Sequence, residues 1–176
     1  MKLASEAAIS AALESHLQRA FIFRFPNVIG VPATHGVIQD FIQKLKNKPK
    51  ILDVHGDGTQ QKCYLHVEEL IDAMRFIRSR SKDRLNYFNI AADDPGVTVK
   101  FIAETVIERV ASGATAAYGA GKKGWVGDVP KFNYSIAKLA RLGWNPRLSS
   151  AQAVRKAVDE IVKQALLNFE WVTGGF

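Results

Sequence analysis

The sequence predicts an α/β fold, and three observations carry that prediction. Helical spacings alternate with short apolar runs along the whole chain, and no Pro-, Gly- or Ser-rich linker divides it. One of those runs, Ala20 to Phe25, is nearly continuous in apolar residues and ends at Pro26, the pattern of a parallel strand buried on both faces. An Ala-rich helical stretch precedes it, so the chain enters its α/β architecture midway.

Each element has its own signal. Lys2 to Leu17 places Ala4, Ala8, Ala11 and Ala12 on one helical face of small side chains, which another helix can approach closely. Val37, Ile38, Phe41, Ile42 and Leu45 follow helical spacing, and Ile51 to Val54 is a strand closed by the turn Gly56-Asp57-Gly58. Residues 62–66 are a short extended piece, followed by a helix marked by Val67, Leu70, Ile71, Met74 and Ile77. Tyr87 to Ala91 reads as a strand that stops at Asp93-Asp94-Pro95-Gly96. Thr98 is the N-cap of a helix carrying Val99, Ile102, Ala103, Val106 and Val110. Residues 112–133 are Gly-rich and irregular, with Ala114 to Tyr118 as their extended piece. Ser135 is expected to cap a short helix that Gly143 ends, and Ser149 or Ser150 a long one through Ala151, Val154, Val158, Ile161, Ala165 and Phe169.

Composition narrows the function. The chain has 176 residues, 47% hydrophobic and 23% charged, which suits one ordinary domain or one half of a larger two-part enzyme. No apolar run approaches the roughly 20 residues that span a bilayer, and no leader pattern follows Met1, so a cytoplasmic location is expected. Cys63 is the single cysteine, and neither C-x-x-C nor H-E-x-x-H occurs, so no disulfide framework and no metal are expected. A net charge of +7 favours an anionic partner, either nucleic acid or a phosphorylated small molecule. The Lys44, Lys46, Lys48, Lys50 run lacks interleaved aromatics and reads as a solvated face, which makes nucleic acid the poorer fit.

Four motifs then occur in order: Arg24-Phe25-Pro26-Asn27-Val28-Ile29-Gly30, Gly56-Asp57-Gly58-Thr59-Gln60, Gly127-Asp128, and Leu142-Gly143-Trp144 with Pro146. The series resembles the C-terminal half of the extended short-chain dehydrogenase/reductase family, the NAD-dependent sugar-nucleotide epimerases and dehydratases. The resemblance runs from Lys2 to about Glu170. It implies the C-terminal portion of an NAD(P)-binding Rossmann-like fold. Residues 1–34 would be a remnant of the Rossmann domain, with the catalytic helix and the following strand. Residues 35–176 would be the substrate-binding domain with returning segments.

Site roles come from that resemblance. The family's catalytic pair is Tyr-x-x-x-Lys, and Lys2-Leu3-Ala4-Ser5-Glu6 resembles the lysine and the four residues after it, with the tyrosine ahead of Met1. Residues four apart share a helical face, so the ammonium can lower the phenol pKa while bonding the nicotinamide ribose. Lys2 would serve both purposes; without the tyrosine it is an exposed lysine on a first turn. The family's glycine phosphate loop lies in its N-terminal half, which has no counterpart here. Gly119-x-Gly121 runs into Lys122 and Lys123 rather than a strand-to-helix glycine series. NAD or NADP is therefore implied for the complete enzyme, and no cofactor is expected on this chain.

Phe25 and Pro26 resemble positions lying against the nicotinamide. Asn27 resembles an asparagine that hydrogen-bonds the sugar nucleotide near its diphosphate; on its own it is equally a turn residue after Pro26. Val37, in His35-Gly36-Val37-Ile38, belongs to the loop that resembles the one under the nucleotide base, and its spacing also makes it core. Lys62 stands where the family has an arginine on the diphosphate, supplying charge without bidentate geometry, or it is a plain exposed strand lysine. Trp125 can stack on a ring and Asp128 take a ribose or sugar hydroxyl; alternatively Trp125 packs under the glycine-rich loop and Asp128 caps a turn. Cys63 alternates with Leu65 and Val67 and reads as a small buried residue, and Trp144 as core beside Gly143.

The function expected is the substrate-binding C-terminal fragment of an NAD-dependent nucleoside-diphosphate-sugar epimerase or dehydratase, inactive alone. The rival is a non-catalytic basic nucleotide- or RNA-binding protein. Expected partners are a nucleoside diphosphate sugar, a separately encoded N-terminal half, and further copies of the chain meeting through residues 1–25. No membrane partner is expected.

Overall fold

Apolar positions three and four residues apart close into helices because those side chains share one face, and short apolar runs between them pair as strands. The structure is a computed structural model describing residues 2–121 and 132–173, with side chains through residue 166. In chain order the elements are α1 (Lys2–Ser15), β1 (Ala20–Arg24), β2 (Asn27–Ile29), α2 (Val37–Asn47), β3 (Ile51–Val54), β4 (Gln61–Lys62), β5 (Tyr64–His66) and α3 (Val67–Arg80). They continue with β6 (Leu85–Asn89), β7 (Val97–Thr98), α4 (Val99–Val110), β8 (Thr115–Tyr118), α5 (Ala137–Leu142) and α6 (Ser150–Thr173).

Among the described residues the strands pair two by two. β1 runs parallel to β6, β2 to β5 and β3 to β8, while β4 and β7 are antiparallel. The fold class is thus α/β with parallel pairing. Helices cover these ladders in two apolar clusters. One gathers α2, α4 and α6 over β3 through Ile42, Leu45, Leu52, Ile102, Val106, Val154 and Val158. The other joins α3 and α5 to β5 and β6 through Leu65, Leu70, Ile77, Phe88, Leu139 and Trp144.

Several local expectations change. β1 is not buried evenly: Ala20 and Ile22 are covered, whereas Phe21 and Phe23 sit at the rim of the second cluster and are half-buried. On α3 the buried stripe passes through Leu70, Ala73 and Ile77, which leaves Ile71 exposed. Ser135 does not cap α5; Ile136 takes the N-cap position without a side-chain bond, and the Ser135 carbonyl accepts from Asn89 Nδ2 at 3.0 Å. Ser149 caps α6 reciprocally with Gln152, its Oγ accepting from the Gln152 N–H at 3.2 Å and its own N–H donating to Gln152 Oε1 at 2.8 Å. Ser150 is bound instead to Asp94, its N–H to Oδ2 at 2.6 Å and its hydroxyl to Oδ1 at 2.7 Å. The Thr98 cap of α4, with Oγ1 accepting from the Phe101 N–H at 3.1 Å, is as expected.

The core predicts a contrast in stability. Ile102→Ala removes fully buried atoms and is expected to cost about 2–5 kcal/mol. Leu3→Ala, at a side chain 76% exposed, is expected to stay within about 0.5 kcal/mol in the same urea unfolding experiment.

Candidate functional site

Beyond the C-terminal end of β1 the chain crosses from one ladder to the next, and there a cavity of about 520 Å³ opens. Its floor and one wall are Phe25, Pro26 and β2. The loop 30–36 and the start of α2 form a second wall, and Lys62, Tyr64 and Ile161 close it from β4, β5 and α6. Tyr134 fixes the entry by donating its hydroxyl to the Phe25 carbonyl at 3.1 Å. Gly36 stands at the N-cap of α2 without a side-chain cap, so the positive end of the helix opens toward the cavity.

The turn Asp93–Gly96 sets the place of Lys62. A Cβ on Gly96 would lie 2.0 Å from the Lys62 carbonyl oxygen, and its φ of +84° is one that other residues adopt poorly. Asp94 Oδ1 accepts from the Gly96 N–H at 2.7 Å and holds the turn closed. The neighbouring Cys63 is buried, and that burial pushes its thiol pKa up, so it stays protonated beside the Ala92 carbonyl.

At the end of β5, His66 is buried with Nε2 at 2.9 Å from Glu160 Oε2, and its Nδ1 caps α3 by accepting from the Glu68 N–H. Lys156 pairs with Glu68 across the two helices, and its ammonium holds the Glu68 carboxyl below the usual range. Gly30 presses against this group: a Cβ there would meet Val67 Cγ1 at 2.7 Å and His66 Nε2 at 3.2 Å.

The structure brings together Phe25, Pro26, Asn27, Val37 and Lys62 around this cavity. Lys2 is exposed at the start of α1 and is not among the cavity's lining residues. Trp125 and Asp128 lie outside the described residues. Tyr64 and Ile161 were not singled out by sequence reasoning. Tyr64 belonged to a strand pattern and Ile161 to a helix stripe, and a cavity between the two needs the tertiary fold.

Tyr134 and Lys138 also have Tyr-x-x-x-Lys spacing. Tyr134 precedes α5, however, and Lys138 stacks over Phe88 with its Nζ 4.5 Å from the ring centre. Burial raises the Tyr134 phenol, the reverse of what a proton-abstracting tyrosine needs. No group of three or more His, Cys, Asp and Glu among the described residues is placed to hold a metal ion, and no helix there is long and apolar enough to cross a membrane.

Comparison with known proteins agrees with this fold. The NAD dependent epimerase/dehydratase family matches residues 1–91, and the chain belongs to that family. GDP-L-fucose synthase 1 of Arabidopsis thaliana is 32% identical over 114 residues, covering 62% of this chain and 32% of the relative. An uncharacterized Schizosaccharomyces pombe protein is 26% identical, over 89% of this chain and 52% of its own length. A solved UDP-galactose 4-epimerase superposes with a TM-score of 0.79 at 30% identity, over 93% of this chain and 52% of that one. The UDP-glucose 4-epimerase of Thermotoga maritima, at 21% identity and a TM-score of 0.75 over 94% of this chain and 52% of that one, shares the fold. The chain thus spans about half the length, or less, of the curated relatives it matches.

Helix α1 is seated by polar contacts on its inner side. Arg24 Nε donates to Glu6 Oε1 at 2.8 Å and its second nitrogen pairs with Oε2, while the Ser10 and Tyr87 hydroxyls meet at 2.6 Å and Leu13 is buried. Ala4, Ala8 and Ala11 face solvent. The Arg24 hydrogen bond holds the Glu6 carboxyl below its ordinary range. A depressed carboxyl stabilises the fold above the ordinary pKa, and that stabilisation is lost as pH falls through the lowered value. Arg24→Ala is therefore expected to return the Glu6 titration, followed by NMR, toward the ordinary carboxylate range. The same change is expected to speed proteolysis within residues 2–15 at neutral pH.

Proposed function

We propose that this chain is the nucleoside-diphosphate-sugar-binding portion of an NAD-dependent epimerase or dehydratase. In this reading residues 35–176 are its substrate-binding segment and residues 1–34 the part that turns toward the cofactor. The observation that carries the proposal is the convergence of Asn27, Val37 and Lys62, from three separate elements, on one cavity beside Phe25 and Pro26. A diphosphate is a compact anion. Lys62 supplies a point charge, Asn27 an amide donor and the start of α2 its helix dipole, all on the same space. The apolar walls from Val28, Ile29 and Val37 suit a nucleoside, and Trp125 and Asp128 are assigned to its ring and hydroxyl by resemblance. The 30% identity to a UDP-galactose 4-epimerase over 93% of the chain supports a UDP-sugar.

Phe25, 42% exposed with its carbonyl held by Tyr134, and Pro26 fit the wall beside a nicotinamide, with Lys2 as the ribose contact. NAD, when bound, supplies the hydride acceptor. The residues that would grip its pyrophosphate have no counterpart in the described chain. The exposed Ala4, Ala8 and Ala11 stripe and the exposed Leu3 support association through residues 1–25, with a second copy or with a complementing N-terminal half.

Titration calorimetry with UDP-galactose is expected to show weak binding. Lys62→Ala and Asn27→Ala are each expected to lose about 1.5–3 kcal/mol of it, and unchanged binding in both would place the site elsewhere. The 176-residue chain with added NAD is expected to give no epimerase, dehydratase or reductase turnover, and measurable turnover would refute the fragment reading.

A further inference from the structure

The wall of the cavity formed by the loop 30–36 is fastened from behind by a residue that no motif marked. Gln164, on α6, meets both backbone polar groups of Ala33: the Ala33 N–H donates to Gln164 Oε1 at 3.0 Å, and Gln164 Nε2 donates to the Ala33 carbonyl at 3.4 Å. An N–H requires an acceptor and a carbonyl a donor, so a single orientation of the amide satisfies both. The side chain thereby does for Ala33 what a neighbouring strand does for a ladder residue.

Ala33 lines the cavity, and so does Ile161, three residues before Gln164 on the same helix. Glu160, four residues before Gln164, is tied to the buried His66, against which Gly30 at the other end of the loop is pressed. One face of α6 thus touches the loop's beginning through His66 and its middle through Gln164.

We propose that Gln164 is a positioning residue for ligand binding. Its amide clamps the loop 30–36 so that the cavity keeps the shape the ligand needs, an inference that rests on the nucleotide-sugar reading of the site. Gln164 acts through the loop and touches no ligand itself. A loop released from the clamp is in its binding-competent arrangement for a smaller fraction of the time, and apparent affinity falls with that fraction.

The test uses the full chain and two variants. Gln164→Ala removes the side chain, and Gln164→Met keeps its bulk while deleting both hydrogen bonds. Affinity for UDP-galactose is expected to fall about tenfold in each, and amide exchange at Ala33 to quicken by about tenfold or more. The thermal midpoint and the exchange of the core amides of Leu52 and Ile102 are expected to stay unchanged. Unaltered Ala33 exchange in both variants would overturn the clamp. Faster exchange with unaltered affinity, or full affinity in Gln164→Met, would overturn its role in binding. Absence of UDP-galactose binding by the unsubstituted chain would instead overturn the functional reading of the cavity, and the Ala33 exchange rates would still decide the clamp.

Discussion

The burial of one stripe of α6 is the constraint on which the rest of the structure depends. Two-stranded ladders are marginal by themselves, and the described strands pair only two by two. What joins the β2–β5 pair to the first cluster is the row Val154, Ala157, Val158 and Ile161, each no more than 3% exposed, packed against α2, α4 and β5. The helix is pinned where it starts: Ser150 takes both carboxylate oxygens of Asp94, and its Oγ accepts from the Tyr64 N–H at 3.1 Å. Asp94 also holds the turn that presses on Lys62. The apolar packing of α6 and the placing of the cavity's cation are therefore one mechanical system.

Burial at this junction is selective about polar groups. Glu69 is almost fully buried, and its Oε1 accepts from the N–H groups of Arg147 at 2.6 Å and Leu148 at 3.2 Å, so the segment leading into α6 is tied back to α3. Trp144 fills the neighbouring core while its indole N–H donates to Asp72 Oδ2 at 2.9 Å. Both carboxylates lie on α3, and their three partners lie just ahead of α6. The approach of α6 is thus fixed by directional bonds as well as by apolar area, which has no directional preference of its own.

How much was legible in the sequence depends on how local each signal is. The helices α2, α3 and α4 and the strand β3 rest on periodicities contained within a dozen residues, and Thr98 caps α4 because a cap needs only its own next turn. The order of motifs singled out the Phe25–Asn27 segment, Val37 and Lys62 before any geometry was known, and the fold gathers them around one cavity. Ser135 misled because a cap-type residue ahead of an apolar spacing does not show where its side chain turns; Asn89, 46 residues away, binds its carbonyl. Ile71 misled because two registers of the same helix fit the apolar pattern, and the fold chose the one that buries Ala73. Glu160 and Gln164 were invisible because their meaning lies in backbone and ring atoms 94 and 131 residues distant.

Charge gives the clearest case of a global property yielding to a local one. The net charge of +7 suggests a surface made for polyanions. Many of its cations are engaged by carboxylates, Lys44 with Asp40, Lys48 with Asp53, Arg109 with Asp159, and Lys156 with Glu68 and Glu160. Others sit over rings, as Arg19 does over Phe21 and Arg155 over Phe101. Exposed pairs of this kind add little to stability, and salt screens their field within about 8 Å. A half-buried cation inside a concave wall acts differently, because the apolar residues around it exclude water and focus its field on whatever enters. Lys62 shares its cavity with Val28, Ile29 and Ile161 and with the residues that begin α2. Under the proposed reading, anion binding in the cavity therefore draws on a local setting, Lys62 together with the start of α2, more than on the sum of the chain's charges.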